Sequence, residues 1–275
     1  LQLGGGLFHL QNLLVCADNK KHGFKKIIVL GGQNQLEKLP PKKFLELREI
    51  SVLNKTLFHR LIWQHTQLEK LAEQEKGLLF IPGGLYLGKR RPFVTMFQNM
   101  QIFETAEKNR EGFSKEWLRL HLLQLGQVQT FQNCAGLICF SDYSRNYLWR
   151  FYPKLLKNNE VRKIPHGISQ INLQSREYGF KGTIRLLYVS TVKQYKHQWY
   201  LIEVVARLRK QGFPLELHLI GSGDHQALQR MNEAIKQNVS LGEFVQYHGE
   251  LSHNETMNWY GNVDLFAFPS SCETF

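Results

Sequence analysis

The residues of this chain best placed to do chemistry are a carboxylate and an ammonium group, each just past an apolar run. Glu273 lies in the terminal segment Ser270-Ser271-Cys272-Glu273-Thr274-Phe275, directly after Val263-Asp264-Leu265-Phe266-Ala267-Phe268-Pro269. That run reads as a buried strand closed by a proline. A carboxylate beyond a strand end of an α/β protein stands in the crevice where such folds hold ligands. An isolated Ser-Ser-x-Glu would instead read as a surface turn of small polar residues, so the upstream context decides. Lys196 follows the strand-like Ile184 to Ser190 and precedes a helical segment. Outside that strand-loop-helix setting it would be an ordinary solvated lysine.

The elements that must position these groups alternate regularly. After the strand Ile184 to Ser190, apolar residues recur at helical spacing from His197 to Lys210. A strand follows at Leu215 to Ile220, then the turn Gly221-Ser222-Gly223, a helix near Gln226 to Gln237, and a strand from Phe244 to His248 ending at Gly249. Ser252, with Glu255 three places on, forms a capping box for a helix running to Tyr260. Four strands alternating with three helices through short connections predict a parallel sheet with helices on both faces.

Residues 183–275 resemble the donor-nucleotide half of a retaining glycosyltransferase of GT-B fold, glycosyltransferase family 4, also called glycosyl transferases group 1. The matching pieces are Leu187-Tyr-Val-Ser190 with Tyr195-Lys196-His197, Leu219-Ile220-Gly221-Ser222-Gly223, Tyr247-His248-Gly249-Glu250-Leu251, and Asp264 to Ser271 with Glu273-Thr274-Phe275. Each is weak alone; their order and spacing together are specific.

The first half repeats the architecture. Leu3-Gly4-Gly5-Gly6 precedes a helical segment from Leu7 to Lys21. Strands are expected at Lys26 to Gly31, Leu78 to Ile81, Phe93 to Met96 and Gly136 to Phe140, and a helix from Glu116 to Phe131. Ser141 or Asp142 caps a further helix ending near Tyr152. Val161 to Gly167 resembles the family's last strand and loop before the interdomain linker. The expected organisation is therefore an acceptor-side Rossmann-like domain over 1–172, a linker at about 168–182, and a nucleotide-sugar-binding Rossmann-like domain over 183–275. The chain lacks an initiator Met, starts within what resembles the family's first strand and stops within a motif, so a fragment truncated at both ends, with its second domain incomplete, is expected.

The resemblance implies transfer of a sugar from a nucleotide diphosphate to a glycan or lipid-linked acceptor, with no metal and no other cofactor. Breaking the bond between the anomeric carbon and the diphosphate leaves an oxocarbenium-like sugar and a growing negative charge, which cations stabilise. Lys196 matches the family's lysine for that task. Glu273 matches the first of two family glutamates and would orient the donor sugar through its hydroxyls; the second would lie eight positions later, beyond Phe275. Ser190, Gly221, Thr274 and Phe275 fall in donor-binding segments. Gly249 and Leu251 match backbone contacts to the nucleobase, although a strand-ending turn explains them equally well. The amides of Gly5 and Gly6, opening a helix, are suited to phosphate. The family usually has an arginine five residues before the lysine; here that position is Thr191, and Lys193 offers a second cation from the same loop. Asn99 stands where the family presents a histidine or aspartate beside the reacting sugar. It cannot act as a general base but can hydrogen-bond a sugar, which suits a mechanism in which the leaving phosphate takes the acceptor proton. Two other readings stay open: a non-catalytic nucleotide-sugar binder and a GT-B nucleotide-sugar epimerase.

Composition adds softer constraints. The 275 residues are 43% hydrophobic, enough for a core in each of two α/β units. Lys and Arg number 35 against 23 Asp and Glu, a formal charge of +12, which draws anionic partners. Leu85-Tyr86-Leu87 beside Lys89-Arg90-Arg91 forms an apolar and basic edge suited to an anionic membrane surface; a nucleic-acid partner finds no recognition motif. The stripe Trp117, Leu120, Leu123, Leu125 reads as packing. The four cysteines show no metal or redox spacing, and no signal peptide or spanning segment is visible, so the expected address is the cytoplasm, with a peripheral place at the inner membrane face in view.

Overall fold

Short branched and aromatic runs form parallel strands throughout the computed structural model, which describes residues 5–110, 112–156, 160–167, 182–238 and 243–274. The chain divides into two units, Leu1–Ile168 with Thr274–Phe275, and Ser169–Glu273. The expected linker at 168–182 lies outside the described residues except for Gly182, and Phe275 lies outside them too.

The first unit runs α1 (Gly5–Cys16), β1 (Ile27–Gly31), α2 (Gln33–Leu36), β2 (Leu45–Glu49), α3 (Leu57–Trp63), a π turn (Gln64–Leu68) leading into α4 (Glu69–Gln74), β3 (Leu79–Ile81), β4 (Phe93–Phe97), α5 (Thr105–Asn109), α6 (Lys115–Asn133), β5 (Gly136–Cys139), α7 (Asp142–Phe151) and β6 (Glu160–Lys163). Among the described residues, β1 and β2 form one parallel pair and β3-β4-β5-β6 a second parallel sheet. The core of the larger sheet is aromatic: Phe93, Phe97, Phe103 and Phe131 are fully buried, with Phe97 edge-on to Phe103 at 5.0 Å. Each such side chain contributes roughly 1.5–3 kcal/mol on burial. The α6 N-cap is Ser114, whose hydroxyl accepts from the Trp117 amide at 3.1 Å, and α7 opens on a Ser141–Ser144 capping box, so the serine expected to start α7 does so. The α6 stripe is not uniformly packed: Leu120 is buried, but Leu125 is 68% exposed. Leu125 lies on the side of the helix that carries the exposed Leu118 and Leu122, spaced to share one face.

The second unit runs β7 (Ile184–Val189), α8 (Gln198–Lys210), β8 (Leu215–Ile220), α9 (His225–Gln237), β9 (Val245–Tyr247), α10 (His253–Asn262) and β10 (Leu265–Phe266). Its sheet has the order β10-β7-β8-β9, all parallel. Successive β8 residues point to opposite faces. Leu217 and Leu219 join Trp199, Ile202 and Val205 of α8 and Met231 of α9 in one core. His218, between them, meets Trp259 of α10 at 4.6 Å. Helices therefore cover both faces, as the alternation predicted. The apolar run expected as a buried terminal strand is instead a two-residue edge strand, with Leu265 and Phe266 exposed. Among the described residues it pairs with β7 alone.

His218 Nδ1 lies 3.1 Å from Nε2 of His248. One nitrogen must donate and the other accept, so the contact requires at least one of the two rings to be neutral. Burial lowers both pKa values below the ordinary histidine range; Glu216 works against this at His218, while His248 and Arg185 work with it. A lowered folded-state value means that the unfolded chain binds more protons just below pH 6.5, so stability present above that pH is lost as the pH falls through the lowered values. The urea midpoint of the second unit is expected to drop between pH 7 and pH 5, and His248→Gln to flatten that dependence. Identical slopes for the two proteins would remove the pair from the account.

Candidate functional site

The site is assembled where the loop after β7 meets the segment after β10. Beyond β7 the chain makes a short helical turn over Gln194–Lys196, closed by the Lys196 amide donating to the Lys193 carbonyl at 3.0 Å. His197 then adopts a left-handed conformation with φ of 58° and α8 begins at Gln198. That reversal turns Lys196 inward, and it is buried. The Tyr188 hydroxyl donates to the Lys196 carbonyl at 2.9 Å, and Gln198 Nε2 donates to the Thr191 carbonyl at 3.0 Å.

The terminal segment is stitched to this loop. The Ser271 amide donates to the Tyr195 carbonyl at 3.0 Å, and the Ser271 hydroxyl lies 2.8 Å from His197 Nε2. Two residues on, the Lys196 ammonium donates to Oε1 of Glu273. The ammonium also sits 5.0 Å from the Tyr195 ring centroid and 5.4 Å from that of Phe268, a range in which aromatic faces attract a cation. Only 11% of the Lys196 side chain and 20% of the Glu273 side chain are accessible. Burial drives the Tyr195 hydroxyl above its ordinary range and pushes that of Tyr188 up to about 12, so both phenols are neutral donors at physiological pH.

Neighbouring strand ends complete one wall. Ser190 donates its amide to the Ile220 carbonyl at 2.9 Å, and Gly221 donates to the Gly249 carbonyl at 2.7 Å. Gly221 has φ of 141°, and a Cβ there would lie 2.1 Å from the Ser190 carbonyl oxygen. Only glycine lets the β8 exit pass this close to the end of β7. Leu251 is half-buried just past Gly249.

Of the expected site residues, the structure brings Lys196 and Glu273 into direct contact and sets Ser190, Gly221 and Gly249 at adjacent strand ends. Lys193 is exposed and contributes backbone; among the described residues no ion pair joins it to Glu273. Thr274 is buried and is grouped with the first unit. Gly5 and Gly6 occupy the first turn of α1, and Asn99 is half-buried in the loop after β4, all in the first unit. The sequence reading missed Tyr188, Tyr195, His197, Phe268 and Ser271 as parts of the site. Tyr195 and His197 flank Lys196 directly, and this adjacency was the available signal. Among the described residues no group of three or more His, Cys, Asp or Glu is arranged to hold a metal, and no helix is long and apolar enough to cross a membrane.

The fold is shared with GT-B glycosyltransferases. Sucrose-phosphate synthase from Thermosynechococcus elongatus superposes with a TM-score of 0.70 at 17% identity, over 99% of this chain and 71% of that one. WaaG, a glycosyltransferase involved in lipopolysaccharide biosynthesis, gives 0.64 at 14% identity, over 98% and 73%. Anabaena HepE, in complex with UDP and glucose, gives 0.59 at 16% identity, over 98% and 72%. Residues 183–275, which carry the Lys196–Glu273 pair, match the family described as Glycosyl transferases group 1. A curated relative of other description, the 5-methyltetrahydropteroyltriglutamate–homocysteine methyltransferase of Buchnera aphidicola, is 26% identical over 274 residues, or 94% of this chain. The chain spans 34% of that relative's length.

Proposed function

We propose that the chain serves a glycosyltransferase that moves a sugar from a nucleotide diphosphate to a glycan or lipid-linked acceptor with retention. The observation that carries this reading is the enclosed Lys196–Glu273 pair at the strand ends of a parallel sheet. A ligand that separates these partners must bring an anion for the ammonium and hydroxyl donors for the carboxylate. A sugar diphosphate carries both, joined through the anomeric oxygen.

In this scheme the anomeric C–O bond to the diphosphate breaks, and its electron pair stays on the departing phosphate oxygen, whose charge Lys196 offsets. The acceptor oxygen bonds the anomeric carbon on the same face, and its proton passes to that phosphate oxygen. Glu273 holds the sugar hydroxyls. Lys193 is a second cation for the diphosphate; Ser190, Gly221, Gly249, Leu251, Thr274 and Phe275 bound the donor; the Gly5 and Gly6 amides are phosphate donors; and Asn99 hydrogen-bonds the sugar. No step calls for a metal or other cofactor. The work is placed in the cytoplasm, with peripheral contact to anionic membrane through Leu87 and Arg91, both exposed, whereas Tyr86 of the same segment is buried.

Glu273→Ala is expected to weaken nucleotide-sugar binding at least about tenfold more than binding of the matching free nucleotide, since only the sugar loses charge-assisted hydrogen bonds. Calorimetric titration with both ligands checks this; equal losses would take the sugar away from Glu273. Thr191, at the place of the usual arginine, favours the second reading, a nucleotide-sugar binder without turnover. Tight donor binding with neither transfer nor donor hydrolysis across a panel of acceptors would establish it.

A further inference from the structure

The first unit has a cavity outside the machinery described above. It measures about 420 Å3 and opens between the segment entering α5 and the flank of α7, lined by Phe103, Glu104, Thr105, Tyr147, Phe151 and Tyr152. Tyr143, Tyr147 and Phe151 recur every fourth residue along α7 and so share one helix face. Successive ring centroids lie 6.4 and 4.6 Å apart. Core aromatics are enclosed, yet Tyr143 and Phe151 are 55% and 54% exposed. Phe103 backs the cavity edge-on to Tyr152 at 5.4 Å.

The polar groups at this cavity are held in place and incompletely used. The Tyr143 hydroxyl donates to Oε1 of Glu104, and Oε2 has no partner among the described residues. Tyr147 is tethered by its hydroxyl to the Phe103 carbonyl at 2.6 Å. The Tyr152 oxygen accepts from Gln124 Nε2 at 2.6 Å, and among the described residues nothing accepts the Tyr152 proton. Gln124 is itself fixed by the buried Lys108 ammonium.

We infer that this cavity binds a neutral saccharide. A pyranose offers one face of C–H groups, whose slight positive charge meets the negative face of an aromatic ring. Its rim of hydroxyls can donate to the Glu104 carboxylate, as charge-assisted hydrogen bonds, and accept from Tyr152 and Thr105. A phosphate or carboxylate ligand would be repelled by Glu104, and an ammonium ligand would leave both hydroxyl donors unused. A few oriented polar groups set in an apolar lining are the usual make-up of a small-molecule site. The inference stands whether or not Lys196 and Glu273 act on a donor.

Titrating the whole chain with maltose, cellobiose and lactose, followed by ligand-observed NMR, tests the assignment. At least one disaccharide is expected to bind saturably with about millimolar affinity. Phe151→Leu, which keeps apolar volume but removes the ring face, and Glu104→Gln should each lower that affinity about tenfold with the thermal midpoint preserved. Lys196→Ala should leave it unchanged, which separates this site from the proposed donor site. Absence of saturable binding, undiminished binding by Phe151→Leu, stronger binding of tetramethylammonium than of every disaccharide, or a dimer in sedimentation that Phe151→Leu dissociates would each overturn the proposal.

Discussion

Lys196→Ala is expected to lower turnover of a nucleotide sugar by about 10²–10³-fold, the usual loss when one preorganised donor to a developing oxyanion is removed. The effect should be large because the ammonium works in an enclosed setting, with 11% of its side chain accessible and aromatic rings at 5.0 and 5.4 Å. Water cannot readily take its place. The substitution also strands Glu273 without its partner, and breaking a buried pair from one side costs about 3–5 kcal/mol, against little when both charges go. Lys196→Ala alone should therefore unfold at lower urea than the double variant Lys196→Ala/Glu273→Ala, while turnover is strongly lowered in both. Steady-state kinetics beside urea unfolding distinguishes the two effects. Turnover within a factor of two or so of the parent would make Lys196 a structural residue only.

Gly221→Ala is expected to destabilise the second unit by about 3–5 kcal/mol, a large part of the roughly 5–15 kcal/mol typical of a folded domain. The backbone at φ of 141° is strained for any residue with a side chain, and the new methyl group would lie 2.1 Å from the Ser190 carbonyl oxygen and 2.6 Å from its carbon. Neither neighbour can yield, because the Ser190 amide is fixed to Ile220 and the Gly221 amide to Gly249, with the Gly221 carbonyl held by the Tyr247 hydroxyl at 2.8 Å. Gly249→Ala is the matched comparison. Its φ is 70° with no atom within 4 Å of the added carbon, so it carries only the left-handed cost of about 1–2 kcal/mol. Urea unfolding of both variants checks the pair, and a Gly221→Ala loss no greater than that of Gly249→Ala would refute the close-approach argument.

The second unit was legible where its signals are local. The β8 strand spans Leu215–Ile220 as read from its apolar run, and α10 starts behind the Ser252–Glu255 capping box, because caps and runs of this kind act over a few residues. β2 and the helices of 57–74 escaped notice. Leu45-Glu-Leu-Arg-Glu carries charges that find distant partners only in the fold: Glu46 meets Lys26 at 3.2 Å and Arg48 meets Glu75. The terminal strand was misjudged for a similar reason. An apolar run declares strand propensity, but whether it is central or at an edge depends on which strands flank it.

The site divides along the same line. Lys196 and Glu273 were each marked by the motif around them, yet their pairing spans 77 residues of sequence. It arises from the left-handed turn at His197 and the hydrogen bonds joining Ser271 to that turn. Tyr188 went unnoticed because a tyrosine in an apolar strand looks like core packing, which its ring is. Its hydroxyl, at the strand end, is what anchors the Lys196 carbonyl.

Among the described residues the flank of β10 away from β7 has no paired strand, and this has a colloidal consequence. An unpaired strand edge with Leu265, Phe266 and Phe268 exposed along it is a template for joining another molecule's backbone. What opposes such sticking is mutual repulsion between molecules bearing a formal charge of +12, a force that acts through water over about 10 Å at 0.1 M salt and shrinks to about 3 Å at 1 M. Brine therefore strips this protein of its protection against clumping, whereas dilute buffer preserves it.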